Sequence, residues 1–221
     1  MSDDPEVLPT DVAVIGMAAR MPGAQSAWQL WRNMVEGVES IVTLTRAELL
    51  ASGESEEQLA HPNYVPRWAG LADVEGFDAA FFGLSRLEGD VMDPQQRHFL
   101  EVCVESLENA GIPPSRFEGN IGVYAASGYN AYFPLHVLTH RELVDDVGFF
   151  LLRHTGNDKD FLATRVAYCL GLRGPAINVQ TACSSSLVAI HLAAQSLIAR
   201  ETDLALAGGV TIELPARRGY V

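Results

Sequence analysis

Residues 180–197, QTACSSSLVAIHLAAQSL, carry one cysteine and three serines at the point where a β-rich run gives way to a long apolar helix. In LVAIHLAAQSLI (187–198), apolar side chains fall on nearly every face of a 3.6-residue period, so the segment reads as a helix buried on all sides. The run before it, PAINVQTA (175–182), reads as a buried strand. Cys183 therefore stands at a helix start, among backbone N–H groups with no intrahelical acceptor and at the positive end of the helix dipole. Both effects favour thiolate, the nucleophilic form of cysteine. Ala182 and Ser184 to Ser186 are small enough to admit a bulky acyl thioester, and the same N–H groups are placed to hold the oxyanion of a tetrahedral intermediate. Free cysteine is also a common small space-filler. The residues alone leave both readings of Cys183 open.

A nucleophilic thiol needs a base or a cation beside it. His191 is more than two helical turns on, roughly 12 Å along the axis at ~1.5 Å per residue, and is read as a hydrogen-bonded interior histidine. His61, His98, His136, His140 and His154 carry no motif and are read as structural or surface residues. Cys103 and Cys169 lie in apolar helical patterns without small neighbours, which assigns them to the core.

Working outward, three further apolar runs resemble strands covered on both faces: DVAVIGM (11–17), NIGVYAAS (120–127) and LALAGGVTIEL (204–214). Helical patterns lie between them. Ser26 is placed to cap AWQLWRNMVEG, Asp93-Pro94 opens QQRHFLEVCVESLENAG with Gly111 as its stop, and Gly156-Asn157-Asp158 precedes DKDFLATRVAYCLG. This alternation predicts an α/β layer with a mainly parallel sheet. Residues 40–84, rich in glycine, proline and scattered aromatics, are expected to form an irregular insertion, either a cover near a site or a surface excursion packed by its own aromatics. Residues 1–10 are expected to be a flexible lead-in.

Composition narrows the function. With 28 acidic against 15 basic side chains, a net charge of -13, the chain lacks the cationic surface that gripping phosphate backbones requires, and nucleic acid is excluded as a leading partner. Three cysteines at 103, 169 and 183, none in a CxxC pair, fit neither a disulfide framework nor a zinc site; they suit a reducing, cytoplasmic setting. The start MSDDPEVLPT is acidic, and no 18 apolar residues run together, so neither export nor a membrane span is expected. VIGMAARMPG matches no dinucleotide or P-loop pattern, and G-x-S-x-G is missing.

Assembled in order, these residues resemble the N-terminal half of a β-ketoacyl synthase domain of a modular type I polyketide synthase. The resemblance is carried by DVAVIGMAARMPGA (11–24), FDAAFFGLSRLEGDVMDPQQRHFLEVCVESLENAGI (77–112) and GNDKDFLATRVAYCLGLRGPAINVQTACSSSLVAIHLA (156–193), and spans residues 11–221. It implies a thiolase-like α/β fold, with Cys183 as the acyl-accepting nucleophile and its backbone N–H as an oxyanion donor. It also implies a homodimer through the strand near 175–182, and no bound cofactor or metal. Substrates would arrive on the phosphopantetheine arm of an acyl carrier protein, followed by decarboxylative condensation with a malonyl-type unit. The family's two decarboxylation histidines lie in its C-terminal half, and none of the six histidines here occupies a matching motif. The chain is thus expected to be part of a longer synthase or to work beside the remaining half of the domain. The alternative is a non-catalytic dimerisation or scaffold fragment of a condensing enzyme.

Overall fold

Residues 121–127, IGVYAAS, carry no charge, and all but the last are buried; the rest of the architecture is built around them. A computed structural model describes Leu8 and residues 10–221. The elements are α1 (Ala27–Glu36), β1 (Val42–Thr43), α2 (Arg46–Ala51), α3 (Glu56–Leu59), β2 (Arg67–Trp68), α4 (Arg86–Val91), α5 (Pro94–Asn109), β3 (Ile121–Ser127), α6 (Tyr132–Leu135), α7 (Arg141–Val147), α8 (Phe149–His154), α9 (Leu162–Leu170), β4 (Ala176–Asn178), α10 (Ser185–Ile198) and β5 (Leu204–Val210). Most of the expected lead-in lies outside the described residues. Among the described residues no helix is long and apolar enough to cross a membrane.

The sheet runs β4-β3-β5, all parallel, with Val123 of β3 opposite both Ala176 and Leu206. Successive side chains point to opposite faces of a strand. Val123, Ala125 and Leu206 accordingly meet Phe99, Leu100 and Cys103 of α5 and Leu162, Ala163 and Val166 of α9. Tyr124 and Ala205 face the other way, onto Ala189 and Ala193 of α10. The result is the α/β layering that the alternation of patterns predicts, with helices on both faces.

Local signals place the helix ends as expected. Ser26 Oγ accepts the Gln29 N–H at 3.1 Å, and Asp93 Oδ1 accepts the Gln95 N–H at 2.9 Å, with Pro94 at the first position of α5. Gly37 and Gly171 end α1 and α9 in the left-handed conformation, which only a residue without Cβ adopts freely.

Four expectations change. Residues 11–17 form no strand among the described residues; they run as exposed chain beside the C-terminal part of α5, where Met17 donates its N–H to Asn109 Oδ1 at 2.9 Å. An apolar run becomes a strand only beside a ladder partner, and none of the described segments offers one. Among the described residues, the α10 segment is covered on one face only. Ser185, Ala189, Ala193 and Ser196 lie against the sheet, whereas Leu187 and Ile190 are 70% and 52% exposed. His191 is exposed rather than interior, because it sits on that outer face. Finally, β4 and β5 end earlier than the apolar runs suggest, at Asn178 and Val210.

Residues 40–84 contain more order than an irregular excursion. β1 and β2 pair antiparallel, with Val42 opposite Trp68, and α2 and α3 each open with a reciprocal capping box. The aromatics divide their contacts: Phe77 stacks on Phe82 against the main core, Trp68 lies under Arg217, and Tyr64 Oη accepts the Gly219 N–H at 3.0 Å.

Two predictions follow from α5. A Cβ on Gly16 would sit 2.4 Å from the Ser106 carbonyl oxygen, so Gly16→Ala must push the segment off the helix. The expected loss is about 1–3 kcal/mol by urea unfolding. Arg20 pairs with Glu101 and Glu105, while buried His98 points its Nε2 at the Val74 carbonyl at 3.3 Å. Burial works against ionisation of Glu101, but the His98 ring and the Arg20 guanidinium outweigh it and hold its pKa below the ordinary value. A carboxylate with a lowered folded-state pKa contributes stability above its unfolded value of about 4.3, and loses it as pH falls through the folded value. Glu101→Gln should lower the urea midpoint at neutral pH and flatten its decline below about pH 5.

Candidate functional site

The turn carrying Cys183 is positioned from both sides. On the β4 side, Val179 donates its N–H to the Ala125 carbonyl at 2.8 Å. The Asn178 side chain accepts the Ala163 N–H at 3.0 Å and donates to the Asp160 carbonyl, tying the strand end to the start of α9. The chain then reverses. Ala182 takes φ +55°, a left-handed conformation disfavoured for any residue with a Cβ, and residues Ala182–Ser184 form a single 3₁₀ turn that feeds α10.

Hydroxyl groups close this turn. Ser185 Oγ accepts the Thr181 N–H and donates to the Ala182 carbonyl, each at 2.8 Å. Ser184 Oγ donates to the Thr181 carbonyl at 2.8 Å and also lies 3.0 Å from Thr181 Oγ1. In the sequence these serines read only as small neighbours of the cysteine; their role as ties within the turn is new in the structure. The signal that could have found it is the density of Ser and Thr at a helix start, where such side chains bond local backbone.

Cys183 is exposed at the apex and takes part in no side-chain hydrogen bond among the described residues. The Ala182 and Cys183 N–H groups donate to no other described residue. An accessible sulfur beside two uncommitted N–H donors is an arrangement able to hold an acyl group and the oxyanion formed at it. Two cavities, of about 320 and 440 Å³, lie elsewhere: one beside Phe77 and Arg97, the other beside Val104 and Ile112. Among the described residues no group of three potential metal ligands comes together.

The other two thiols differ in setting. Cys103 is buried in the main core, which pushes its pKa up to about 12. Cys169 is half-buried against the same core, and burial raises its pKa as well. Iodoacetamide at neutral pH should therefore modify Cys183 at least about tenfold faster than either, read by peptide mass mapping. Equal sluggishness at all three would mean that Cys183 is no more available than a core thiol.

Residues 10–220 match the family described as Beta-ketoacyl synthase, N-terminal domain. The chain belongs to the β-ketoacyl synthase family. Among curated relatives, this β-ketoacyl synthase chain is 49% identical to one of the phenolphthiocerol/phthiocerol polyketide synthase subunits of Mycobacterium tuberculosis, over 95% of the chain and 14% of that protein. It is 43% identical to another phenolphthiocerol/phthiocerol polyketide synthase protein of the same organism, over 92% of the chain and 13% of the relative. The chain thus spans about a seventh of the length of the curated relatives it matches.

Among solved structures, ketosynthase twelve of the bacillaene polyketide synthase from Bacillus amyloliquefaciens superposes with a TM-score of 0.84 at 30% identity, covering 96% of this chain and 37% of that one. The module 1 ketosynthase of the bacillaene synthase from the same species gives 0.75 at 32% identity, covering 92% and 35%. The fold of this β-ketoacyl synthase chain is therefore thiolase-like, as the motif resemblance implies.

Proposed function

We propose that the chain forms the acyl-accepting part of a polyketide synthase condensing enzyme, with Cys183 as its nucleophile. The observation that carries this reading is the exposed cysteine on a sharp strand-to-helix turn, with its own N–H unpartnered among the described residues. In the first half-reaction the Cys183 thiolate attacks the carbonyl carbon of an acyl thioester on the phosphopantetheine arm of an acyl carrier protein. A new S–C bond forms, the Cys183 N–H supports the oxyanion, and the carrier thiolate leaves and takes up the proton that Cys183 gave up. In the second, a carrier-bound malonyl-type unit loses carbon dioxide. Its carbanion attacks the acyl carbonyl, forming the C–C bond and releasing the Cys183 thiolate. No histidine of this chain is assigned to decarboxylation; that step belongs to the remaining half of the synthase domain.

Several features support the accompanying parts of this reading. Residues 11–221 act as the N-terminal portion of one domain, with 40–84 as an insertion in it. The outer edge of β4 has no strand beside it among the described residues, and Ile177 on it is exposed, which suits homodimer formation through the strand near 175–182. The apolar face of α10 and the run at 11–17, uncovered and unpaired among the described residues, suit a chain that functions against further synthase structure.

The test is incubation with an acyl N-acetylcysteamine thioester, followed by proteolysis and mass mapping. The acyl mass is expected on the peptide that contains Cys183. Its appearance only on other residues would overturn the assignment.

A further inference from the structure

We infer that Ser185 is a positioning residue, whose hydroxyl sets the place of the Cys183 sulfur and N–H; the inference rests on Cys183 being the acyl acceptor. Cys183 has no side-chain hydrogen bond of its own among the described residues, so the path of its backbone sets where its N–H points and where the bond that carries its sulfur begins. That path passes through Ala182 at φ +55°, which an alanine does not hold without help. Ser185 supplies the help. Its oxygen accepts from the Thr181 N–H ahead of Ala182, and its proton goes to the Ala182 carbonyl, both at 2.8 Å. One hydroxyl thereby ties down the residue before the strained position and the peptide that joins it to Cys183.

Burial makes this tie different from its neighbour. Ser185 is 7% exposed, so water does not readily take over its two bonds if the hydroxyl is lost. Ser184 makes a similar bond to the Thr181 carbonyl but is exposed, and water can replace it. The same Ser185 side chain opens α10 on the buried stripe that contains Ala189 and Ala193, which pack against the sheet.

The experiment compares Ser185→Ala, Ser185→Thr, Ser184→Ala and Cys183→Ala in the full-length protein. Loading from an acyl N-acetylcysteamine thioester is followed at the Cys183 peptide by mass spectrometry, with melting temperature recorded alongside. Ser185→Ala is expected to lower the saturating rate of loading about tenfold or more, with the donor concentration for half-maximal rate changed by less than about twofold. Ser185→Thr keeps the hydroxyl and should load within about threefold of the parent, although its extra methyl lowers the melting temperature at least as much as alanine does. Ser184→Ala should also stay within about threefold.

A role confined to filling the core predicts the reverse order, with loading tracking melting temperature and threonine slower than alanine. That order overturns the inference, as does Ser185→Ala loading within about twofold of the parent, or Ser184→Ala slowing loading as much as Ser185→Ala. If Ser185→Ala fails to fold, the threonine and Ser184 variants still decide it. Failure of the underlying reading shows separately, as loading that persists in Cys183→Ala.

Discussion

Replacing Cys183 with alanine is expected to abolish carrier-dependent acyl loading, a fall of at least about 10³-fold. The proposed reaction has only one atom able to form the covalent thioester, and alanine deletes it without disturbing anything that holds the turn. Cys183 makes no side-chain hydrogen bond among the described residues and is exposed, so the variant should keep its stability within about 0.5 kcal/mol. The two outcomes together make the result informative: lost loading with an unchanged urea midpoint ties the chemistry to the sulfur rather than to the fold. Loading that persisted from an acylated carrier protein would remove Cys183 from its role.

The largest expected effect on stability belongs to Leu100. Its side chain is fully buried on α5, within the cluster that contains Met92, Phe99, Cys103, Leu162 and Val166 and closes one face of the sheet. Leu100→Ala removes buried methyl groups and leaves a void that α5 and α9 can only partly collapse around. A loss of about 2–5 kcal/mol is expected. Against a usual net stability of about 5–15 kcal/mol, this would shift the urea midpoint far more than any surface change. A loss below about 1 kcal/mol would mean that the two helices pack loosely on the sheet.

The parts of the fold that were legible in the sequence are those decided locally. Ser26, Asp93-Pro94 and Gly171 mark helix ends because a cap needs only its own turn. The runs at 120–127 and 204–214 became strands because they pair with each other, the first at the centre of the sheet. Residues 11–17 have the same apolar character and do not become a strand, since the pattern reports a capacity for burial and not the presence of a neighbour. The same distinction explains α10, where apolarity on every face predicts complete cover and the described residues supply one side.

Helices α6 to α8 escaped notice because their segments are short, interrupted by Pro134, His140 and Gly148. They are held by a separate small cluster around Val91, Val137 and Leu152. At the site, Cys183 and its place at the start of a helix were readable. The left-handed Ala182 and the hydrogen-bonding role of Ser185 were not, because both depend on how the chain turns in three dimensions.

The stripe of Ser185, Ala189, Ala193 and Ser196 on α10 has a mechanical consequence. Because these side chains are so short, the helix axis rides at a fixed, shallow height over the sheet, and the thiol is mounted at its tip like a stylus on an arm. A bulkier group at Ala189 would act as a shim, lifting the arm and tilting the tip. The set of the sulfur is therefore adjustable from more than a helical turn away, by residues turned toward the sheet.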